Sequence, residues 1–355
     1  MKALILSGGK GTRLRPITFT RAKQLVPIAN KPILFYAIEA IRDAGITDIG
    51  IVVGETADEV TAAVGDGSRW GVSVAYIPQE APLGLAHAVR IAQDFIGDDS
   101  FVMYLGDNLV KDSLRPFVES FSADKCEAQI LLAHVANAAQ FGVAELDGSG
   151  RVVRLIEKPS EPKSDLALVG VYLFGSRVFD AVAAITPSAR GELEITDAIQ
   201  WLIDNGYGVR PHVIGGWWKD TGRLDDMLEA NRFVLDTIDA EMLGEVDDDS
   251  HVDGRVRIGA GTKLVSSTVR GPVVIGEGCE IVDAYIGPFT SIADGCVVVG
   301  SEVEHSILLM GARIENTGGR VTDSLIGVNA VVRRGDSKPA AYHLMLGDNS
   351  EVEII

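Results

Sequence analysis

The chain has 355 residues, 46% of them hydrophobic and 23% charged, the balance of a folded globular protein and not of a disordered or low-complexity one. Its formal net charge of −18, from 32 basic and 50 acidic side chains, disfavours binding to nucleic acid or to an anionic membrane. Three scattered cysteines, Cys126, Cys279 and Cys296, have the spacing of neither a disulfide framework nor a zinc site.

Length predicts about two domains. Residues 1 to 235 alternate strand-like and helix-like segments. Ala3–Leu6 is a short apolar run that reads as a buried strand. Pro32 suits a first helical position; Leu34, Ile38 and Ile41 follow at helical spacing, with Gly45 as a stop. Ile49–Val53 reads as the next strand. Gly84–Ile96 reads as one helix carrying Leu85, Val89, Ala92 and Ile96 on one face. Phe101–Leu105 is a strand ending at Gly106, Asp107 and Asn108. Gln129–Val135, Val152–Ile156 and Leu168–Phe174 follow as strands, and Leu193–Asn205 and Arg223–Ile238 as helices. Strand and helix in alternation predict an α/β fold, a largely parallel sheet with helices on both faces, whose ligands bind beyond the carboxyl ends of the strands. The loops at 7–15 and 106–108 then share one rim.

Gly244–Asp253, with Asp247, Asp248 and Asp249 in a row, breaks the pattern and reads as a linker. Beyond it helical spacing disappears. Ile258 and Leu264, Ile275 and Ile281, and Ile286, Ile292 and Val298 fall six apart, and Ile-Gly pairs recur. This period is that of a parallel β-helix, with loops expected to interrupt it near 265–274 and 308–320. The expected domains are 1–240 and 250–355. Reduced thiols, the absence of an apolar run of roughly 20 residues and an N-terminus unlike a signal peptide make the cytoplasm the expected location.

The first 38 residues hold seven basic side chains (Lys2, Lys10, Arg13, Arg15, Arg21, Lys23 and Lys31) and no acidic one. Against the net charge this is a strong local anomaly. Gly8, Gly9 and Gly11 lie within it, directly after a predicted strand, where backbone N–H groups can turn toward one anion. A nucleoside triphosphate fits this segment better than nucleic acid. It is not a P-loop, since Gly11 and not Ser or Thr follows Lys10, nor a dinucleotide fingerprint, since Leu14 stands where the third Gly is needed.

SGGKGTRLRPIT (7–18) and FTRAKQLVPIANKP (19–32) carry a resemblance, continued by GDGSRWG (65–71), PLGLAHA (82–88), YLGDN (104–108), FGVAELD (141–147), IEKPSEP (156–162), GVYLF (170–174), GELEITD (191–197), GWWKDTG (216–222) and YHLMLGDNSEV (342–352). In this order and spacing they resemble the sugar-1-phosphate nucleotidyltransferases, in particular the long-form thymidylyltransferases acting on glucose 1-phosphate. The resemblance implies a Rossmann-like mixed sheet, with helices on both faces, followed by a C-terminal left-handed parallel β-helix. One departure is Ala22, where long-form relatives commonly have Pro.

The resemblance also implies a reaction. The oxygen of a sugar phosphate attacks the α-phosphorus of dTTP, and pyrophosphate leaves. The nucleophile is already anionic, so no general base is needed, and none of the usual nucleophile–base sets is evident. Catalysis then rests on positioning and charge neutralisation. By resemblance, Gly8, Gly11 and Thr12 cradle the triphosphate, Arg13 clamps it, and Lys23 places a charge on it. Gln24, Gln79 and Gly84 face the base; from sequence alone Gln79 reads as an ordinary polar loop residue. Asp107 and Asp220 are implied as carboxylates holding Mg²⁺, though as bare residues each reads as a cap or turn. Glu157 and Lys158 would take the sugar hydroxyls and phosphate, with Gly142 and Val169 lining the pocket through their backbone. The implied partners are dTTP and glucose 1-phosphate, with no nucleic acid and no membrane. The coil is expected to be structural or oligomerising, which admits a homo-oligomer. Two alternatives share the fold: a uridylyltransferase whose solenoid is an acyltransferase using His251, His305 or His343, and a catalytically silent regulatory subunit.

Overall fold

The computed structural model describes residues 1–9, 11–124, 126–335 and 344–353. The chain forms two compact units. The first holds Met1–Lys10, Arg21–Leu25 and Ile33–Asp220; the second holds Gly11–Thr20, Val26–Pro32 and Thr221–Ile355.

The strands of the first unit are β1 (Lys2–Ser7), β2 (Asp48–Val53), β3 (Ser73–Pro78), β4 (Phe101–Leu105), β5 (Asn108–Val110), β6 (Ala128–His134), β7 (Gly142–Leu146), β8 (Val152–Glu157), β9 (Leu166–Phe174), β10 (Val209–Val213) and β11 (Trp218–Asp220). Nine of them form one sheet in the order β8-β7-β9-β4-β1-β2-β3, with β6 paired to β9 and β10 to β6. β1 pairs parallel with β2 and β4, and β2 with β3. β9 runs antiparallel to β4, β6 and β7. The sheet is therefore mixed: β4, β1, β2 and β3 run parallel, β10 runs parallel to β6, and β9 lies antiparallel between the two groups, so it is not largely parallel as the alternation of elements predicts. Alternation along β1 sends Ala3 and Ile5 to one apolar core and Leu4 and Leu6 to the other. Helices α1 (Ile33–Asp43), α2 (Ala57–Val64) and α5 (Arg115–Ala123) supply the first core, while α3 (Leu85–Ile91), α4 (Gln93–Ile96), α6 (Val178–Ala184) and α7 (Ile195–Asp204) supply the second.

The single helix expected over 84–96 is two. Ala92 leaves the helical ψ, at 0°, and its N–H bonds to Val89 O three residues back. Val89, Ala92 and Ile96 are nonetheless all buried, so the apolar face is kept across the break.

In the second unit, helix α8 (Leu224–Leu235) precedes a parallel β-helix of three sheets with six, six and five strands. Strand partners lie one coil apart: His251 with Thr268, Lys263 with Glu280, Val273 with Thr290. Every aliphatic in the predicted series is buried, Ile258 through Val298. The lapse at 265–274 is not a loop. Val269, five residues after Leu264, is wholly buried in strand Thr268–Arg270, so one side of the coil is simply a residue shorter. Gly244–Asp253 is not a linker either. It contains strands Glu245–Val246 and His251–Asp253, which pair with the next coil. The acidic run stands at a corner, where Asp247 accepts hydrogen bonds from Ser250 Oγ (2.5 Å) and from the Ser266 N–H. Cys279 and Cys296 are free thiols buried in this core, and Cys126 is a free thiol in the first unit.

The same unit holds a small hairpin, Pro27–Ile28 against Lys31–Pro32, turned by Ala29 and Asn30 at φ 47° and 63°. Asn231 of α8 is wholly buried. Its Oδ1 accepts from the Ala29 N–H (2.8 Å), and its Nδ2 donates to Phe289 O (3.0 Å). Asn30 Nδ2 donates to Ile292 O in the coil (2.6 Å). One buried amide thus ties hairpin, helix and coil together. Among the described residues, no helix is long and apolar enough to cross a membrane.

Candidate active site

β1 ends at Ser7 and Gly8 follows. A Cβ at Gly8 would stand 3.0 Å from Gln79 Oε1, and one at Gly9 3.7 Å from Gln24 Nε2. Both glutamine amides therefore border the glycine turn. Gln24 is buried within a short 3-10 turn, Lys23–Leu25, and its Oε1 has no hydrogen-bond partner among the described residues. Leaving such an acceptor unpaired costs about 1–3 kcal/mol, so a donor from outside the chain is strongly favoured there. Gln79 follows β3, and its Nε2 lies 3.1 Å from His87 Nδ1 and 3.5 Å from Gly84 O. It is built into the rim, not an ordinary loop residue. Gly84 has φ +103°, and a Cβ there would meet Leu193 O at 2.4 Å. Only glycine permits that approach. The 83–86 segment then hydrogen-bonds to Leu193 on both sides.

Asp107 and Asp220 come together through a short ladder. β5 pairs antiparallel with β11, setting Asp220 opposite Asn108. Gly106 N donates to Leu6 O (2.9 Å), which brings this loop to the end of β1. Lys23 is 6% exposed, and its Nζ lies 2.5 Å from Asp107 Oδ2 and 3.6 Å from Asp220 Oδ1. Asn108 Nδ2 donates to Asp107 Oδ1 (2.8 Å), and Trp218 Nε1 donates to Asn108 Oδ1 (2.6 Å). Trp218 is thus an orienting residue as well as a packing one. Burial pushes the Asp107 carboxyl up, but the Lys23 ammonium and the Asn108 amide outweigh it and hold the group below the usual carboxylate range. Ala22, just before Lys23, donates its N–H to Glu59 Oε2 (2.8 Å). Proline, which the resemblance implies at this position, has no N–H to give.

These two carboxylates suit a hard divalent cation. Among the described residues no group of three or more His, Cys, Asp or Glu could hold a metal alone. A cation here would draw its remaining oxygens from phosphate and water, which is the usual habit of Mg²⁺.

A second cluster lies at the end of β8. Glu157 pairs with Gly142 across β7, and a Cβ at Gly142 would stand 3.1 Å from Glu157 Oε2 and 2.7 Å from Leu168 Cδ1. Lys158 has φ +43° and donates its N–H to Phe141 O (3.0 Å). Its Nζ lies 3.8 Å from Glu157 Oε1, and Arg190 Nη1 donates to the same oxygen (3.3 Å). Burial raises the Glu157 carboxyl above its ordinary value; Lys158 and Arg190 pull it down and Glu194 pushes it up. Val169 is wholly buried, backbone included, in the apolar core of the first unit. Arg190, Glu194 and His87 are the residues that sequence reasoning missed. The last two stood inside quoted motifs, GELEITD and PLGLAHA, without a role.

In the second unit, Gly11 (φ +60°) opens the 3-10 turn Thr12–Leu14, and Thr18 Oγ1 donates to Gly11 O (2.6 Å). Arg13 and Thr12 are exposed. A Cβ at Gly222 would stand 3.1 Å from the Arg13 guanidinium, so the last Gly of GWWKDTG leaves room for that side chain. Of the coil histidines, His305 pairs through Nδ1 with Asp323 (2.6 Å), His251 Nδ1 meets Ser250 O (3.0 Å), and His343 lies outside the described residues.

The family model described as nucleotidyl transferase matches residues 2–237. A glucose-1-phosphate thymidylyltransferase of Streptomyces griseus is 58% identical over 354 residues, 100% of this chain and 99% of that one. A low-salt glycan biosynthesis nucleotidyltransferase of Haloferax volcanii is 48% identical over 358 residues, 100% of both. Among solved structures, a Bacillus anthracis protein described as a glucose-1-phosphate thymidylyltransferase, in complex with sucrose, superposes with a TM-score of 0.64 at 38% identity, covering 68% of this chain and 98% of that one.

Proposed function

The chain belongs to the nucleotidyl transferase family, and we propose that it joins dTTP to α-D-glucose 1-phosphate, giving dTDP-glucose and pyrophosphate. The observation that carries the substrate reading is the pair of amides at the glycine turn, with Gln24 Oε1 buried and unpaired. Thymine and uracil present an imide N–H between two carbonyls, and a glutamine amide offers both an acceptor and a donor to such an edge.

In the reaction a phosphate oxygen of the sugar phosphate attacks the α-phosphorus in line. The bond from that phosphorus to the bridging oxygen of the β-phosphate breaks, and its electrons leave with pyrophosphate. No proton need be removed from the nucleophile. The barrier is repulsion between two anions, so the chain's task is positioning and charge. Lys23 and Arg13 neutralise the triphosphate, the latter with a fork that matches two phosphate oxygens. Gly8, Gly11 and Thr12 supply backbone donors, and Gly84 helps hold the base. Glu157 takes sugar hydroxyls and Lys158 the sugar phosphate, beside the backbone of Gly142. Asp107 and Asp220 would hold Mg²⁺, which when bound would screen the phosphate charge. We read 1–240 as the catalytic domain and the coil, which already includes strand Glu245–Val246, as a left-handed solenoid of structural or oligomerising role, in a cytoplasmic enzyme.

The experiment is pyrophosphate release across a matrix of triphosphates and sugar 1-phosphates. dTTP is expected to exceed ATP and dCTP in kcat/KM by on the order of 10³, because the wrong base leaves buried polar groups unpaired. Comparable turnover of dTTP and ATP would sink the base reading. Release with a sugar 1-phosphate other than glucose alone would redirect the sugar assignment.

A further inference from the structure

We propose that His87 is a positioning residue for base selection: it fixes which end of the Gln79 amide faces the nucleotide. The proposal rests on the reading of Gln79 as a base-facing residue. An amide is nearly symmetric in shape, and reversing it exchanges donor for acceptor. At this site Gln79 Nε2 faces two acceptors, His87 Nδ1 at 3.1 Å and Gly84 O at 3.5 Å. With the imidazole neutral and its proton on Nε2, the Gln79 amide donates to Nδ1. The reversed amide would set Gln79 Oε1 against both acceptors. The observed orientation turns Oε1 toward Gly8, where it stands 3.0 Å from the position a Cβ would take.

The consequence is chemical. Gln79 Oε1 accepts from the imide N–H of thymine or uracil. The N3 of cytosine and the N1 of adenine are acceptors and would oppose it. His87 lies on α3, directly after the tightly packed Gly84, so the ring that sets the amide is itself held in place. Partial burial first, and then Arg90 on the same helix, hold the His87 imidazolium below its ordinary pKa, which keeps the ring an acceptor at neutral pH. Among the described residues, Arg90 is the charged group acting on it, and Gln79 is its partner from the β3 side.

The test compares His87→Leu, which removes the acceptor, with His87→Gln, which can restore one. The parent enzyme is assayed first with dTTP; failure to use any pyrimidine triphosphate overturns the base reading itself. Given a parent active with dTTP, His87→Leu is expected to raise KM for dTTP about five- to tenfold and to lower the preference for dTTP over dCTP by a similar factor. Its kcat and its KM for glucose 1-phosphate should stay within about twofold. His87→Gln should recover most of the dTTP affinity. Unchanged KM and selectivity in His87→Leu overturns the proposal. If that variant does not fold, the acid limb decides. Below its folded pKa, His87 carries a proton on Nδ1 and cannot accept. The parent should therefore lose dTTP affinity on acidification more steeply than His87→Gln, since protonation of the terminal phosphate of dTTP weakens binding to both alike. Parallel acid limbs in the two proteins also overturn the proposal.

Discussion

The coil and the mixed sheet solve the same problem, burying a chain's backbone, by opposite means. In the coil each partner comes from the neighbouring turn, so the place of one aliphatic dictates the place of the next: Leu264, Ile281 and Val298 stack because they recur. Even polar corners follow the rule. Thr262 Oγ1 donates to Gly276 O (2.6 Å) and accepts from the Cys279 N–H (2.9 Å) one coil on. In the unit built on the sheet the decisive contacts are unique and distant. Asp107 meets Asp220 through a three-residue ladder, Gly84 meets Leu193, and Glu157 meets Arg190. Repetition makes a stable rod, and its local side chains are interchangeable. Convergence of distant segments concentrates charge and leaves Gln24 Oε1 unpaired, which is what a substrate can use.

If that contrast is right, damage to the two regions should separate activity from stability. The largest effect is expected from Asp107→Asn and Asp220→Asn. Each should lower kcat by roughly 10²–10³, the scale of removing an electrostatic group from a transition state, and far more than the weakened pairing with buried Lys23 lowers Tm. Steady-state rates against Mg²⁺ concentration, beside thermal unfolding, check this; near-normal kcat in either variant removes that carboxylate from the chemistry.

Ile281→Ala reverses the pattern. Truncating a wholly buried coil aliphatic should cost about 2–5 kcal/mol, read from denaturant unfolding, while folded enzyme keeps its KM values. Asn231→Ala is intermediate. It leaves the Ala29 N–H and Phe289 O without their side-chain partners and should cost about 1–3 kcal/mol. Because the hairpin follows Gln24 directly in the chain, this is the one structural variant for which a rise in KM for dTTP is also expected. An unchanged KM there would confine the coil's role to stability.

The smallest effect is a pH dependence at the corner of the first coil. Hydrogen bonds, first from Ser250 Oγ, hold the Asp247 carboxyl below its ordinary value. A carboxyl depressed in the folded state contributes stability that is present above its unfolded pKa, near about 4, and lost as pH falls through the folded value. Asp247→Asn should lower Tm slightly at neutral pH, and the difference should vanish as pH falls through that acid window, where the parent loses the same contribution, so the variant's Tm-against-pH curve is the flatter one. A Tm difference that is absent at neutral pH, or that persists undiminished below the acid window, would contradict the assignment.

The same contrast explains what the sequence made legible. The solenoid could be read because Ile258, Leu264, Ile275 and Ile281 announce their burial by period alone. Its one-residue-short side looked like a loop because Val269 arrives early, and its first coil looked like a linker because the Asp run masks two short strands. The glycine turn, Lys23 and the basic N-terminal segment could be read from charge segregation. The pairing of Asp107 with Asp220 could not, since no periodicity connects β5 to β11; only the resemblance joined them. The break at Ala92 carries no Gly or Pro to mark it. His87 was invisible because a lone histidine on a helix reads as surface or core until its partner, Gln79, is seen beside it.

The central claim is tested most directly by following the α-phosphorus. The protein is incubated with glucose 1-phosphate, Mg²⁺ and dTTP radiolabelled at that position, and the products are separated. The account predicts that label appears in a sugar nucleotide, in step with unlabelled pyrophosphate, and that neither forms without the sugar phosphate. Label recovered as dTMP or dTDP, or inorganic phosphate released in place of pyrophosphate, would contradict it.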